Sequence, residues 1–139
     1  MRSQMNIKLV PLDTGTGAVS TISASVDTKG FNFAKFCFFS DSTGTLTTAT
    51  AITESDDNST FSAIAGVVNG TDFTTNSATN LTTVAKLVLG MNLRGRKRYL
   101  KATVVHATTG RTRFWCELSD PSDGVTSATD INTANLISV

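Results

Sequence analysis

Positive charge gathers at one place in this chain, the run Asn92-Leu93-Arg94-Gly95-Arg96-Lys97-Arg98-Tyr99-Leu100-Lys101. Arg94, Arg96 and Arg98 alternate, so on an extended backbone they project to one side, where guanidinium forks can hold carboxylates in bidentate pairs. Lys97 adds a compact charge among them. Farther along, Arg111 and Arg113 share strand parity with Trp115, and arginine beside tryptophan is the composition of protein interfaces. The interface candidates are therefore Arg94, Arg96, Lys97, Arg98, Arg111, Arg113 and Trp115. The plainer reading of the same run is a solvated hairpin loop whose charges aid solubility.

Other chemistry finds little support. Nucleophilic catalysis needs a base beside its nucleophile, and the chain has one histidine. His106 shares parity with Leu100, Ala102 and Val104, which marks it as a structural or interface residue. Cys37 and Cys116 sit in apolar segments and read as buried free thiols. A disulfide between them would need neighbouring strands and a Cα separation that sequence does not supply. One histidine and no close cysteine pair give no metal site. Glu54, Asp56, Asp57 and Asn58 offer oxygen ligands, yet their spacing is not that of a calcium loop. As a glycosidase pair they would need a cleft that raises one carboxyl, so they read as a solvated turn. No phosphate cradle or dinucleotide fingerprint occurs. No catalytic, cofactor or metal residue is assigned, and no enzyme activity is expected.

The elements that must hold these residues are strands. At 139 residues the chain is sized for one domain. A net charge of +1 with 17% charged residues is too balanced for a protein that coats nucleic acid. No apolar run reaches the roughly 20 residues needed to span a bilayer, and no secretory signal opens the chain. A soluble protein with neither nucleic-acid nor membrane partners is expected.

Apolar residues recur with period two almost throughout. Met5, Ile7 and Leu9 predict one face of a first strand, ended by Pro11 and Asp13-Thr14-Gly15-Thr16-Gly17. Ala18, Ser20, Ile22, Ala24 and Val26 predict a second, packed with small residues. Phe31 and Phe33 take one parity while Phe36 and Phe38 take the other, which predicts either a bulge near Ala34-Lys35 or a central strand buried on both faces. Five of the eight phenylalanines lie in 31–39, the expected centre of the core.

Residues 46–55 read as a Thr/Ala strand, joined through the turn Asp56-Asp57-Asn58-Ser59 to Phe61, Ile64 and Val67-Val68 as a hairpin. The polar stretch 69–80 reads as a long surface loop. Ala85, Leu87, Leu89 and Met91 form one strand face, Leu100, Ala102, Val104 and His106 another, and Thr112, Phe114, Cys116 and Leu118 a third. The last two, joined at Thr108-Thr109-Gly110, read as the strongest hairpin in the chain. Residues 1–118 form the expected β-sandwich domain. Residues 119–139, acidic and without Lys or Arg, form an arm or, through Leu136-Ile137-Ser138-Val139, a final strand, the reading favoured here. The prediction is an all-β, antiparallel, jelly-roll-like sandwich of about eight or nine strands.

The Phe-rich strand after Gly30, the turn Glu54-Ser55-Asp56-Asp57-Asn58-Ser59-Thr60-Phe61 with Ile64-Ala65-Gly66, and Leu93-Arg94-Gly95-Arg96-Lys97-Arg98-Tyr99-Leu100, in this order, resemble the capsid decoration, or cement, proteins of tailed bacteriophages. The resemblance covers roughly residues 17–118. It implies a β-sandwich that oligomerises, often as a trimer, on the outer surface of the virion head and clamps neighbouring major capsid subunits, after assembly in the host cytoplasm. It brings no catalytic residues. The alternatives are a tail or head-completion structural protein, or a small lectin-like module that binds glycans.

Overall fold

The computed structural model describes residues 7–12, 19–40, 46–73, 85–110, 112–120 and 135–137. Its organising element is the Phe-rich strand, β3 (Phe33–Ser40), flanked by β6 (Ala85–Asn92) and β8 (Thr112–Ser119). The register with both neighbours runs without a break. There is accordingly no bulge, and the change of parity arises because β3 is buried on both faces. Ala34, Phe36 and Phe38 point into the core, whereas Phe33 and Cys37 are buried on the other side. Phe38 stacks on Phe36 and on Phe114, with ring centroids 6.5 and 5.8 Å apart. Burying each such ring is worth about 2 to 3 kcal/mol.

The remaining elements are β1 (Ile7–Pro11), β2 (Val19–Asp27), β4 (Ala51–Ser55), β5 (Ser62–Ala63), β7 (Tyr99–Gly110) and β9 (Asn135–Ile137). They form a five-stranded sheet, β1-β8-β3-β6-β9, and a four-stranded sheet, β2-β7-β4-β5. The antiparallel pairs β1·β8, β2·β7, β3·β6 and β4·β5 make one long hairpin with its tip at β4–β5, rolled so that successive pairs alternate between sheets. Among the described strands β9 alone pairs parallel, along β6. The all-β sandwich expected from the periodicity is what forms. Phe36, Phe38, Leu89, Met91, Phe114, Cys116 and Leu118 of one sheet share a single core with Val26, Ile52, Leu100, Ala102 and Val104 of the other.

Three local expectations need correction. Only Arg111 separates β7 from β8, yet the two strands belong to different sheets and do not pair. The chain turns a corner at Gly110, whose backbone lies against the His106 ring. A Cβ added there would overlap the ring carbons of His106. Nε2 of His106 and Thr112 Oγ1, 2.8 Å apart, tie the corner together. The basic run is likewise a connection between sheets, from β6 to β7, and not a hairpin loop. Finally, Ile7 and Leu9 do not face the core. They pair with Ser119 and Glu117 on the outer side of β8 and are 58% and 61% exposed, while Val10 takes the inner side opposite Cys116.

The expected long surface loop starts as a tight turn. Asn69 donates its side-chain amide to Thr47 and Thr50 carbonyls, and Phe73 is buried. Residues 74–80 and most of the acidic tail, 121–134, lie outside the described residues.

Candidate interface residues and their surroundings

The turn after β6 forms because the Asn92 side chain accepts the Arg94 N–H at 2.9 Å and Leu93 O accepts the Arg96 N–H at 3.0 Å. Gly95 adopts φ 75°, a left-handed conformation that costs glycine little. Leu93 is drawn into the core beneath it. The turn therefore sits over one end of the sandwich, and its charges meet carboxylates of this same chain.

Arg98 makes a bidentate pair within its own chain, with Nε 2.9 Å from Asp27 Oδ1 and Nη2 2.7 Å from Oδ2. That hydrogen bond, helped by the Lys29 N–H, holds the Asp27 carboxyl down at about 2. The guanidinium also lies 4.9 Å from the Tyr99 ring centre. Arg96 is largely covered, with Nη1 3.7 Å from Glu54 Oε1, and Glu54 Oε2 accepts the Lys97 N–H at 3.2 Å. Lys97 Nζ reaches Asp56 at 3.5 Å. The acidic turn 54–57, read as solvated, is thus partly the counter-charge of the basic one. Arg94 is exposed.

Asp57 serves its own turn. Its Oδ1 accepts the Ser55 hydroxyl at 2.7 Å and the Ser59 and Thr60 N–H groups at 2.9 Å each, which lowers its carboxyl to about 2. Asn58, at φ 58°, supplies the left-handed residue. No group of residues able to hold a metal ion is found among the described residues.

The thiols are chemically muted. Phe36 pairs with Cys116 and Cys37 with Trp115, so the two cysteines lie on adjacent strands but opposite faces of the sheet. They remain free and buried. Burial pushes Cys37 up to about 11, and Cys116 higher still for the same reason.

Arg113 and Trp115 stand on the outer face of the five-stranded sheet. Ser119 and Asn92 both pair with Phe33, at the basic-turn end of the sheet, whereas Arg113 pairs with Phe39 toward the other end. The arginine and tryptophan set read from sequence is consequently split between two regions. Arg111 lies outside the described residues.

Around Trp115 the structure assembles a surface that periodicity missed. Phe39 lies parallel to it, with ring centroids 5.2 Å apart. Pro11 pairs alongside, then Leu9 and Ile7 extend the surface along β1. Cys37 and Val88, both buried, floor it, and an ion pair between Lys35 and Glu117 crosses it. The odd parity of Phe39 and Trp115 is the available signal, and the shared face of Ile7 and Leu9 proves to be the outer one.

No protein family, curated protein or solved structure matches this chain.

Proposed function

We propose that this chain is a structural virion protein that docks on the outer surface of a phage head and stabilises contacts between major capsid subunits. The observation that carries the reading is the outer face of the five-stranded sheet, where Ile7 and Leu9 stand exposed on β1 and the stacked Phe39 and Trp115 rings, half-buried, lie on the neighbouring strands. Solitary exposed apolar residues are ordinary, but apolar and aromatic residues gathered on one sheet face around a single ion pair have the composition of a protein interface. The strand orders β1-β8-β3-β6 and β2-β7-β4-β5 fit a jelly-roll wrapping, an architecture used by viral capsid and lectin domains. The polar groups described above serve turns and ion pairs, which suits a binding role better than catalysis.

The basic turn enters this reading in reduced form. Arg96, Lys97 and Arg98 are committed to Glu54, Asp56 and Asp27, so Arg94 is the charge best placed to meet an acidic partner. The same neutralisation speaks against nucleic acid as the partner. A lectin reading would use Trp115 as a sugar platform, and Phe39 already lies against that ring.

The test is incubation of the purified chain with undecorated heads of the encoding phage, imaged by electron microscopy. Added density on the outer surface is expected, and folded protein that leaves heads bare overturns the proposal. Leu9→Glu is expected to remove that density while leaving stability within about 0.5 kcal/mol, because Leu9 is exposed. Arg94→Glu tests the charge contribution separately.

A further inference from the structure

Among the described strands the two sheets present four edges, and an open edge carries unpaired main-chain groups that proteins usually shorten or block. Three edges are so treated. β1 carries Lys8 and Pro11, which has no N–H to offer, while β5 has two residues and β9 three. β2 is different. It runs nine residues, Val19–Asp27, pairs only with β7, and has neither a proline nor a charge before Asp27.

The register shows where its main-chain groups point. Val105 of β7 accepts the Thr47 N–H and donates to Thr50 Oγ1, both on the β4 side. Thr21, opposite Val105, therefore turns its own N–H and C=O away from β7. Ser23, Ser25 and Asp27 follow with period two, whereas Thr28, of the other parity, bonds Arg98. On the core side the row thins toward this edge. Val26 is fully covered, but Ile22 and Ala24 are only partly buried.

We propose that the β2 edge is a self-association site, pairing antiparallel with β2 of a second copy about a two-fold axis at Ser23. Thr21 then faces Ser25 of the other copy, and about six main-chain hydrogen bonds close the seam. Ile22 comes to rest beside Ala24 of the second copy and completes the thin part of the core row. The outer side chains are small hydroxyls that allow close approach, and the Asp27 carboxylates, held by Arg98, stay at the ends of the seam. A second copy suits this edge because it offers the same uncharged, alternately apolar strand in self-complementary form. The product is a dimer with a continuous eight-stranded sheet, in place of the trimer that the family resemblance implies. This inference is independent of the docking proposal, because it requires no capsid.

Light scattering after size-exclusion chromatography, over a concentration series, tests it. The wild-type chain is expected to reach twice its 14.7 kDa mass. Ser23→Pro removes only an N–H that faces the open edge, and Ser23→Lys places a charge there. Both are expected to halve the mass while the circular dichroism spectrum of the fold persists. In the wild type, the amides of Thr21, Ser23 and Ser25 should exchange at least about ten times more slowly than in Ser23→Lys. A wild-type monomer at every concentration, or an oligomer of any size that both variants leave intact, overturns the proposal.

Discussion

Thr21, Ser23 and Ser25 line the outer face of the four-stranded sheet with Thr53, Lys101 and Thr103 beside them, whereas Ile7, Leu9, Pro11, Phe39 and Trp115 line that of the five-stranded sheet. Both faces stand on strands whose inner rows form the core, thinning only at Ile22 and Ala24 of β2. One face is mostly hydroxyls with a lysine, Val105 and Tyr99 among them, and the other carries the two exposed large apolar residues of β1 and a stacked aromatic pair. A sandwich needs only its inner rows to fold, so the outer rows are free to differ. The difference is what the docking proposal rests on.

The largest test of that contrast compares two phenylalanines of one strand. Phe36→Ala, in the core, is expected to lower unfolding free energy by about 4 kcal/mol. Phe39→Ala, on the outer face, should cost about 1 kcal/mol in the free protein and show its main effect on head binding. Equal losses in urea titrations would abolish the distinction between core and docking face.

Next in size is the corner that sends β7 and β8 into different sheets. Gly110→Ala is expected to cost about 3 kcal/mol, because the methyl group and the His106 ring cannot occupy the same space. Thermal denaturation checks it, and a tolerated alanine would show that the corner can relax.

A smaller contrast lies within the basic turn. Glu54→Ala leaves Arg96 covered without its carboxylate and should cost about 2 kcal/mol, while Arg94→Ala should stay within about 0.5 kcal/mol. Similar values for both in chemical denaturation would mean that the turn is solvated throughout.

The smallest effect is in acid. Asp27 and Asp57 are both held at about 2 against an ordinary value of 3.8. Carboxyls depressed by folding add stability that is complete above the unfolded value and lost as pH falls through the folded one. Unfolding free energy should therefore decline between about pH 4 and 2, and Asp27→Asn with Asp57→Asn should flatten that slope.

Much of this was legible in the residues. The inner rows Leu89-Met91, Leu100-Ala102-Val104-His106 and Thr112-Phe114-Cys116-Leu118 follow from period two, and all are buried. The β4–β5 hairpin follows from Asp57 and Asn58, whose turn chemistry is local. The candidate site was read less well. Ile7 and Leu9 alternate as a core strand would, and only pairing with Ser119 and Glu117 turns them outward. Thr108-Thr109-Gly110 has the composition of a hairpin turn, but Gly110 is needed for contact with His106 and the strands part there.

By itself, then, the sequence determined where strands run, which parity of the later ones is apolar, and that the thiols are interior. These are properties of a few consecutive residues, set by side-chain alternation and turn propensity. Tertiary structure decided which sheet each strand joins, which face meets solvent, and which carboxylate each cation meets. Those choices depend on residues far apart in the chain, as Asp27 and Arg98 are at a separation of 71, and no local pattern carries that information.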